Sequence, residues 1–341
     1  MSVRLRHAAA EVAGGFLEMA NMSLTPEARA YLDAFNATGT PLESVSPEQA
    51  RALVAPLKSR KEAVAEIRDI WIPGPDGELP ALVYSPFVDE DREDLLPTVV
   101  FFHGGGWVVG SPKSHDGICR RLCNALEAIV ISVDYRLAPE NKYPAAAEDC
   151  YAATVWASKF VENFGGDPSR LIVCGDSAGG NLAAVVALMA RDRGGPAIAV
   201  QVLLYPITDH NFDTQSYRDN GKGYFLTTET MKWFWDHYLE KPEQGQEPYA
   251  SPLHADLKGL PPAIVLTAEY DPLRDEGHAY ASKLQEAGVT VRRIVCLGQI
   301  HGFLRRLDLF PDAAGGTLIG ISKQVREMLG LPPVNYTDES R

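Results

Sequence analysis

The pentapeptide GDSAG at residues 175–179 constrains this chain more than any other stretch. A short apolar run rich in β-formers precedes it at 171–174, and an apolar helical pattern follows it at 180–190. A Gly-x-Ser-x-Gly sequence between a strand and a helix is typical of a nucleophile elbow, a strained turn that exposes the serine hydroxyl at the sheet edge. Because a glycine-rich turn can have the same pattern, Ser177 is a candidate nucleophile that still needs catalytic partners.

Apolar runs that alternate with helical patterns predict an α/β fold. Most of the runs are continuously apolar, as in strands buried on both faces of a parallel sheet, and the first two flank a Pro-Gly turn and should pair as a hairpin. The predicted helices lie near 117–127, 145–163, 178–192, 275–287 and 315–329. The eight predicted strands are 67–72, 80–84, 98–102, 128–134, 171–174, 200–205, 263–268 and 291–297.

Two regions interrupt or precede this alternation. Residues 1–45 have an amphipathic helical pattern, with a helix start at Thr25-Pro26, and a second start at Ser46 has Gln49 in the position of a capping box. More than fifty residues separate the strand that ends near 205 from the one that begins near 263. This insertion contains a predicted helix at 227–240 whose aromatic face could roof a site at the carboxyl ends of the strands.

The charge balance limits the choice of partners. The 341 residues include 45 acidic and 32 basic side chains, which gives a net charge of −13. This charge argues against nucleic acid and anionic membranes as partners, and it suits a small neutral substrate.

The cysteines and the terminus indicate the compartment. Five cysteines without zinc-type spacing are expected to be free thiols in a reducing cytoplasm. No stretch is long and apolar enough to span a bilayer, and Glu11 and Glu18 interrupt any signal-peptide core. We therefore expect a cytoplasmic protein without stable membrane association.

A serine nucleophile needs a histidine that follows it in the chain. His301 directly follows the last predicted strand, in a loop that contains Gly298 and Gly302, which is where a functional histidine is expected. By contrast, His278 fits a helix surface and His237 lies on the insertion helix, so we interpret both as structural.

The acid that orients the histidine should follow the preceding strand. Glu269, Asp271, Asp275 and Glu276 are the candidates. Asp271 precedes a proline and is therefore biased towards an extended or turn geometry, whereas Asp275 is expected to cap the next helix. Asp271 is the predicted acid, with the role of holding the tautomer of His301 and stabilising the imidazolium.

The glycine run in HGGGW at residues 103–107 is the fourth element. It follows a predicted strand, and its uncovered N–H groups, with that of Ala178, can form an oxyanion hole. The alternative is a flexible turn. The run lacks the Lys-Ser/Thr of a phosphate loop and the spaced glycines of a dinucleotide-binding fold.

These motifs together resemble the hormone-sensitive-lipase family of esterases, also called bacterial family IV, over roughly residues 65 to 330. The quoted motifs are HGGGW at 103–107, DYRLAPE at 134–140 with YPAA at 143–146 and Asp149, GDSAGGN at 175–181, DPLRDEG at 271–277 and HGF at 301–303. The elbow is similar to that of the GDSAG subgroup. One departure is Gln299, where the family often has methionine.

The resemblance implies an α/β-hydrolase fold with a helical cap. It divides the chain into an N-terminal cap segment at 1–45, a catalytic domain at 46–206 and 248–341, and a cap insertion at 207–247. It places the triad at Ser177, Asp271 and His301, and the oxyanion donors in the run Gly104, Gly105, Gly106, above all the latter two, with Ala178.

The expected function is that of a serine carboxylesterase that hydrolyses short- to medium-chain esters through an acyl-enzyme on Ser177, without a metal or cofactor. An amidase or peptidase on the same fold is the first alternative. A non-catalytic small-molecule receptor is the second, although receptors on this fold are expected to have lost a triad member.

The substrate pocket and the oligomer are less constrained by sequence. The aromatic side chains predicted to line the pocket and to limit acyl length are Trp107, Phe225, Trp233 and Trp235. The last predicted strand, 291–297, is a candidate edge for a homodimer, as in relatives.

Overall fold

Eight strands form one sheet in the computed structural model, which describes residues 23–54, 62–89, 92, 94–334 and 336. The first part of the predicted N-terminal cap segment, residues 1–22, lies outside the described residues. The strands are β1 Glu66–Gly74, β2 Gly77–Ser85, β3 Leu96–Phe102, β4 Ile129–Val133, β5 Gly166–Asp176, β6 Val200–Leu204, β7 Ala263–Tyr270 and β8 Val291–Ile300.

The sheet is mostly parallel, as predicted. Its strand order is β1-β2-β4-β3-β5-β6-β7-β8, with β1 and β2 paired as an antiparallel hairpin and β2 antiparallel to β4. The remaining neighbours are parallel. Every residue of β3, β4 and β6 is buried, which explains their continuously apolar sequences. The central strands β3, β5 and β6 therefore deliver their carboxyl ends to one edge.

Helices cover both faces of the sheet. The core on one face includes residues of α4, α5 and α8, and the core on the other includes residues of α1, α3 and α9. The helices are α1 Pro26–Thr38, α2 Pro47–Leu53, α3 Asp116–Leu126, α4 Ala145–Phe160, α5 Ala178–Asp192, α6 Gln215–Asn220, α7 Thr228–Tyr238, α8 Arg274–Glu286 and α9 Pro311–Met328. Helix α6 is an addition to the predicted set, because its six residues, QSYRDN, have no apolar periodicity.

Two helix starts in the N-terminal segment agree with their sequence signals. The Thr25 side chain accepts a hydrogen bond from the N–H of Ala28, and Pro26 is the first residue of α1. Ser46 and Gln49 form a reciprocal capping box before α2.

The N-terminal segment and the insertion meet each other above the sheet edge. Asn36 donates a 3.1 Å hydrogen bond to the carbonyl of Gly223. Glu43 accepts hydrogen bonds from the hydroxyls of Thr227 at 3.3 Å and Thr230 at 2.6 Å. We call the described part of the predicted N-terminal segment, residues 23–45, together with the insertion, residues 207–247, the roof. Within the described part of the chain, no helix is both long and apolar enough to cross a membrane.

Candidate active site

Ser177 occupies a strained turn between β5 and α5. Its backbone has φ 57° and ψ −118°, a conformation that L-residues rarely adopt. A Cβ on Gly175 would collide with the backbone of Gly179, and a Cβ on Gly179 would collide with the carbonyl of Phe102. The two glycines of the pentapeptide are therefore required by close backbone approach, as the sequence predicts.

A chain of hydrogen bonds runs from Ser177 through His301 to Asp271. The serine Oγ lies 2.9 Å from Nε2 of the histidine, whose Nδ1 lies 2.7 Å from Oδ2 of the aspartate. Their exposed fractions are 8%, 5% and 0%, so the chain is shielded from bulk water and its serine end is the most accessible. The structure thus brings together three side chains that lie 124 and 30 residues apart in sequence.

Backbone geometry fixes the two partners of the serine. Asp271 follows β7, and its Oδ1 accepts a 2.9 Å hydrogen bond from the N–H of Leu273, which leaves Oδ2 for His301. Before the histidine, Gly298 adopts φ 70° and donates its N–H to the carboxylate of Glu269 at 2.7 Å. Glu269 therefore holds the backbone at Gly298, three residues before His301.

The other acids and histidines of these segments have different contacts. The prediction that Asp275 caps α8 is wrong: it lies in the first turn, where its carboxylate accepts the N–H of Ser216 at 2.7 Å. His278 contacts the hydroxyl of Thr267 at 3.0 Å, and His237 packs on the ring of Trp233.

The glycine run faces the serine, but its three members differ. The N–H groups of Gly105 and Gly106 make no hydrogen bond within the described residues, and both residues have positive φ, 123° and 57°. Ala178 begins α5, so its N–H has no intrahelical partner. In contrast, the N–H of Gly104 donates a 2.8 Å bond to Oδ1 of Asp176. The N–H of Gly104 is therefore not available as an oxyanion donor, although the sequence predicted this glycine among the donors.

A cluster of buried polar side chains lies next to the glycine run. Nε2 of His115 is 3.3 Å from Oδ1 of Asp176, and the ring of His103 stacks on Tyr135 with centroids 4.2 Å apart. Burial acts to raise the pKa of Asp176, but His115 and the Gly104 N–H hold it below its ordinary value. Burial, with the neighbouring His115, lowers the pKa of His103 to about 3, so this ring is neutral at physiological pH.

A cavity of about 240 Å³ opens beside Ser177 and His301. Only Phe225 of the four predicted aromatic residues lines it. Trp107 instead stacks on Tyr238 at 4.1 Å, and Trp235 packs against Trp107 at 4.7 Å. Both tryptophans are fully buried, and Trp233 also lies away from the cavity wall. The prediction that Trp107, Trp233 and Trp235 line the pocket is therefore wrong, because these rings pack the roof onto the core.

Sequence reasoning missed several lining residues. Phe234 lies on the apolar face of the predicted insertion helix, and a Cβ on Gly106 would collide with its ring, so the phenyl group covers the glycine run. The signal for Arg305 and Arg306 was their position two and three residues after the HGF motif. The other lining residues include Phe35, Glu43 and Thr230. Gln299 is not a lining residue and instead contacts the hydroxyl of Thr25 at 3.3 Å.

A serine on such an elbow, followed in chain order by its acid and then its histidine, is the arrangement found in α/β hydrolases, and this molecule is of that class. A family model described as an alpha/beta hydrolase fold matches residues 99–305. The chain belongs to this family, which agrees with the resemblance seen in the motifs. The more specific assignment to a GDSAG subgroup stays a prediction.

Known proteins are similar to this chain over most of its length. The carboxylic ester hydrolase LipN of Mycobacterium tuberculosis is 45% identical over 259 residues, which are 74% of this chain and 68% of LipN. The carboxylesterase NlhH of the same species is 40% identical over 91% of this chain and 98% of its own. A solved thermostable esterase from Pseudomonas putida has a TM-score of 0.85 at 40% identity, covering 92% of this chain and 100% of that chain.

Proposed function

We propose that this protein is a serine carboxylesterase that hydrolyses short- to medium-chain esters. The observation that carries the proposal is the hydrogen-bonded chain Ser177–His301–Asp271, which opens on a cavity beside free backbone N–H groups. The names of the relatives LipN and NlhH point to the same reaction class.

The proposed mechanism uses each element once. His301 accepts the proton of Ser177 at Nε2 while its Nδ1–H donates to Asp271, which stays ionised and stabilises the imidazolium. The serine oxygen attacks the ester carbonyl, and the N–H groups of Gly105, Gly106 and Ala178 bind the resulting oxyanion. The imidazolium protonates the departing alcohol.

Water completes the proposed cycle. The deprotonated ring takes a proton from a water molecule, which attacks the acyl-enzyme, and the serine leaves with that proton as the acid is released. An amide bond could be attacked by the same groups, but the relatives are named for ester hydrolysis, and an ester alcohol is the better leaving group. The ester reaction is therefore the proposal.

The roof takes the role of the cap in this proposal. Residues 23–45 and 207–247 both contribute to the cavity wall, through Phe35 and Glu43 on one side and Phe225 and Phe234 on the other. The sheet domain supplies the triad, and the roof supplies the apolar surface that contacts the substrate chain.

Hydrolysis of p-nitrophenyl esters from acetate to palmitate tests the proposed function. We expect turnover of the short esters by the wild type and a loss of several orders of magnitude in Ser177→Ala. Ser169→Ala is a matched control, because this exposed serine lies at the opposite end of β5 and bonds only to Asp167 among the described residues. Equal activity of wild type and Ser177→Ala would contradict the proposal, as would faster turnover of matched anilides than of esters.

A homodimer through β8 is a second, independent proposal. This strand is at one end of the sheet, so one of its edges has no strand partner among the described residues, and the Leu297 side chain on it is 40% exposed. Light scattering that shows only the monomer at micromolar concentration would reject it.

Cytoplasmic residence is a third, independent proposal. None of the five cysteines, all of which are described, forms a disulfide, and four of them are buried. Free thiols are usual in reducing compartments. Recovery of the protein only from a membrane or extracellular fraction would contradict this assignment.

A further inference from the structure

Arg305 places a guanidinium in the wall of the catalytic cavity. It ends a short 3₁₀ helix, Phe303–Arg305, that begins two residues after His301. The same cavity wall contains Ser177, His301 and the glycine run. A substrate held at the serine therefore lies beside this side chain.

The guanidinium of Arg305 has no acceptor within the described part of the protein. Its Nη1 is buried without a hydrogen-bond partner, and the residue forms no ion pair there. The adjacent Arg306 differs, because its Nη1 donates to the carbonyl of Gly302 at 2.9 Å. That second guanidinium also lies over the rings of Tyr31 and Phe225, 4.6 Å and 4.5 Å from their centroids.

The two carboxylates that line the cavity have hydrogen-bond partners other than Arg305. Asp176 Oδ1 receives the N–H of Gly104 and faces His115, and Glu43 accepts hydrogen bonds from Thr227 and Thr230. Neither forms an ion pair with Arg305 among the described residues. The cavity wall therefore contains two arginines and two carboxylates, and Asp176 acts on Arg305 only through space. Among these four side chains, that of Arg305 alone has no hydrogen-bond partner within the described residues.

A buried guanidinium N–H without an acceptor is unfavourable, and such groups in proteins are normally paired. Neutralisation does not relieve the cost here. Burial, with the neighbouring Arg306, lowers the pKa of Arg305 only to about 10, so the side chain is charged at neutral pH. A planar guanidinium with free N–H groups is suited to a carboxylate, which it can bind through two parallel hydrogen bonds.

We propose that Arg305 binds a carboxylate that the substrate carries beside its ester group, so that the preferred substrates are anionic monoesters rather than neutral esters. This inference rests on the proposed ester hydrolysis and names its substrate class. It replaces the neutral substrate expected from overall charge, because a cavity responds to the groups that line it. Arg305 is thus a specificity-determining residue.

Paired esters that differ only in charge test the inference. Monoethyl succinate carries a carboxylate on the acyl side of its ester, and diethyl succinate is its neutral partner. 4-Acetoxybenzoate carries a carboxylate on the alcohol side, and its methyl ester is the neutral partner. We expect Arg305→Gln to lower kcat/KM for the anionic member of at least one pair by between about tenfold and a hundredfold, with little change for its neutral partner. Arg305→Lys should retain part of the preference, since it keeps the charge.

The control is Arg68→Gln, which removes an exposed guanidinium paired with Glu66 on β1, at the other end of the sheet from β8. This variant should leave both members of each pair unchanged. An equal effect of Arg305→Gln on anionic and neutral esters, or no effect on either, would overturn the inference. A series from monoethyl malonate to monoethyl adipate then measures the spacing between ester and carboxylate that Arg305 prefers.

Failure of the proposed function gives a different result. If the wild type hydrolyses no ester, the esterase proposal fails, but carboxylate binding can still be measured by calorimetry with succinate or benzoate. Binding to Ser177→Ala protein that disappears with the additional Arg305→Gln change would support the anion site alone. Equal binding, or none, with and without Arg305 would reject that site.

Discussion

The backbone N–H of Gly104 donates a 2.8 Å hydrogen bond to the carboxylate of Asp176. This bond joins the start of the glycine run to the residue that immediately precedes the nucleophile. The loop after β3 and the elbow after β5 are thus held in register by a direct contact, and the oxyanion donors have a fixed position relative to Ser177.

Removing this contact should impair catalysis more than binding. We expect Asp176→Ala to lower kcat by up to about a hundredfold with a smaller change in KM, because small displacements of catalytic groups have large effects on rate. Asp176→Asn should restore much of kcat, since its amide oxygen can accept the same N–H. Steady-state kinetics on p-nitrophenyl butyrate, with thermal melts to compare folding, would measure both. An Asn variant as slow as the Ala variant would contradict a positioning role.

The ring of Phe234 should limit the length of the substrate chain. It covers the glycine run from the roof, so Phe234→Ala should shift the preferred p-nitrophenyl ester towards longer acyl chains. Each additional methylene that becomes buried contributes about 0.8 kcal/mol, or about fourfold in kcat/KM. The control Trp71→Ala truncates an exposed ring on β1, outside the cavity wall, and should leave the length profile unchanged. Parallel profiles for Phe234→Ala and wild type would exclude this role.

The preference for anionic esters should disappear at high pH. Arg305 is the group that titrates, with a pKa of about 10, and Arg306, Asp176, Tyr31 and Tyr205 are the charged or titratable groups that act on it. Both tyrosines have pKa values raised by burial. The guanidinium is charged below its pKa and neutral above it, so the anionic-to-neutral ratio should be constant from pH 7 to 9 and fall beyond about pH 10. A ratio that stays constant to pH 11 would argue against a role for this charge.

Stability should respond to pH through Glu276. This side chain is 2% exposed and accepts the N–H groups of Thr208 and Asp209, but burial, with the carboxylates of Asp209 and Asp271, raises its pKa well above the ordinary value. The folded protein keeps a proton that the unfolded chain releases above pH 4.5. The contribution of this group to the free energy of unfolding is therefore fully present below pH 4.5 and is lost as the pH rises through the raised pKa of the folded state.

The variant Glu276→Gln has a neutral amide in place of the carboxyl group, so this position does not titrate. Its free energy of unfolding relative to wild type should therefore increase between pH 5 and 8, by at most about 1.4 kcal/mol per pH unit. Urea unfolding at several pH values measures the difference, and Glu78→Gln is the exposed control. A difference that does not change with pH would show that Glu276 is ionised in the folded state.

The sequence predicted the elements whose signals are local. Continuous apolar runs located the strands, and the capping box at Ser46 located the start of α2. The sequence also favoured Asp271 over Asp275 as the acid, because the backbone of a residue before a proline is restricted. The structure places Asp271 beside His301.

Contacts that depend on tertiary packing were not predictable in this way. Trp107 and Phe234 are both large aromatic residues, and only the crossing of the roof over the glycine run decides that the phenyl ring faces the cavity while the indole packs on Tyr238. Likewise, the side-chain hydrogen bond that occupies Gly104 joins residues 72 positions apart, and nothing local to HGGGW indicates it.

The roof has a consequence for how substrates enter. At the seam between its two segments, the Asn36 amide donates a hydrogen bond and the Glu43 carboxylate accepts two, and these contacts lie at or near the protein surface. Two helices of the roof are anchored differently, because α7 buries Trp235 and Tyr238 in the core, whereas α1 buries only Ala28 and Leu32. Elements with few buried side chains open at lower free energy than a buried sheet. We therefore expect substrates to enter by opening of the roof at α1, so that an opening equilibrium contributes to substrate selection. Amide hydrogens in α1 should exchange faster than those of α7, β3 and β5, and a covalent acyl group on Ser177 should slow them.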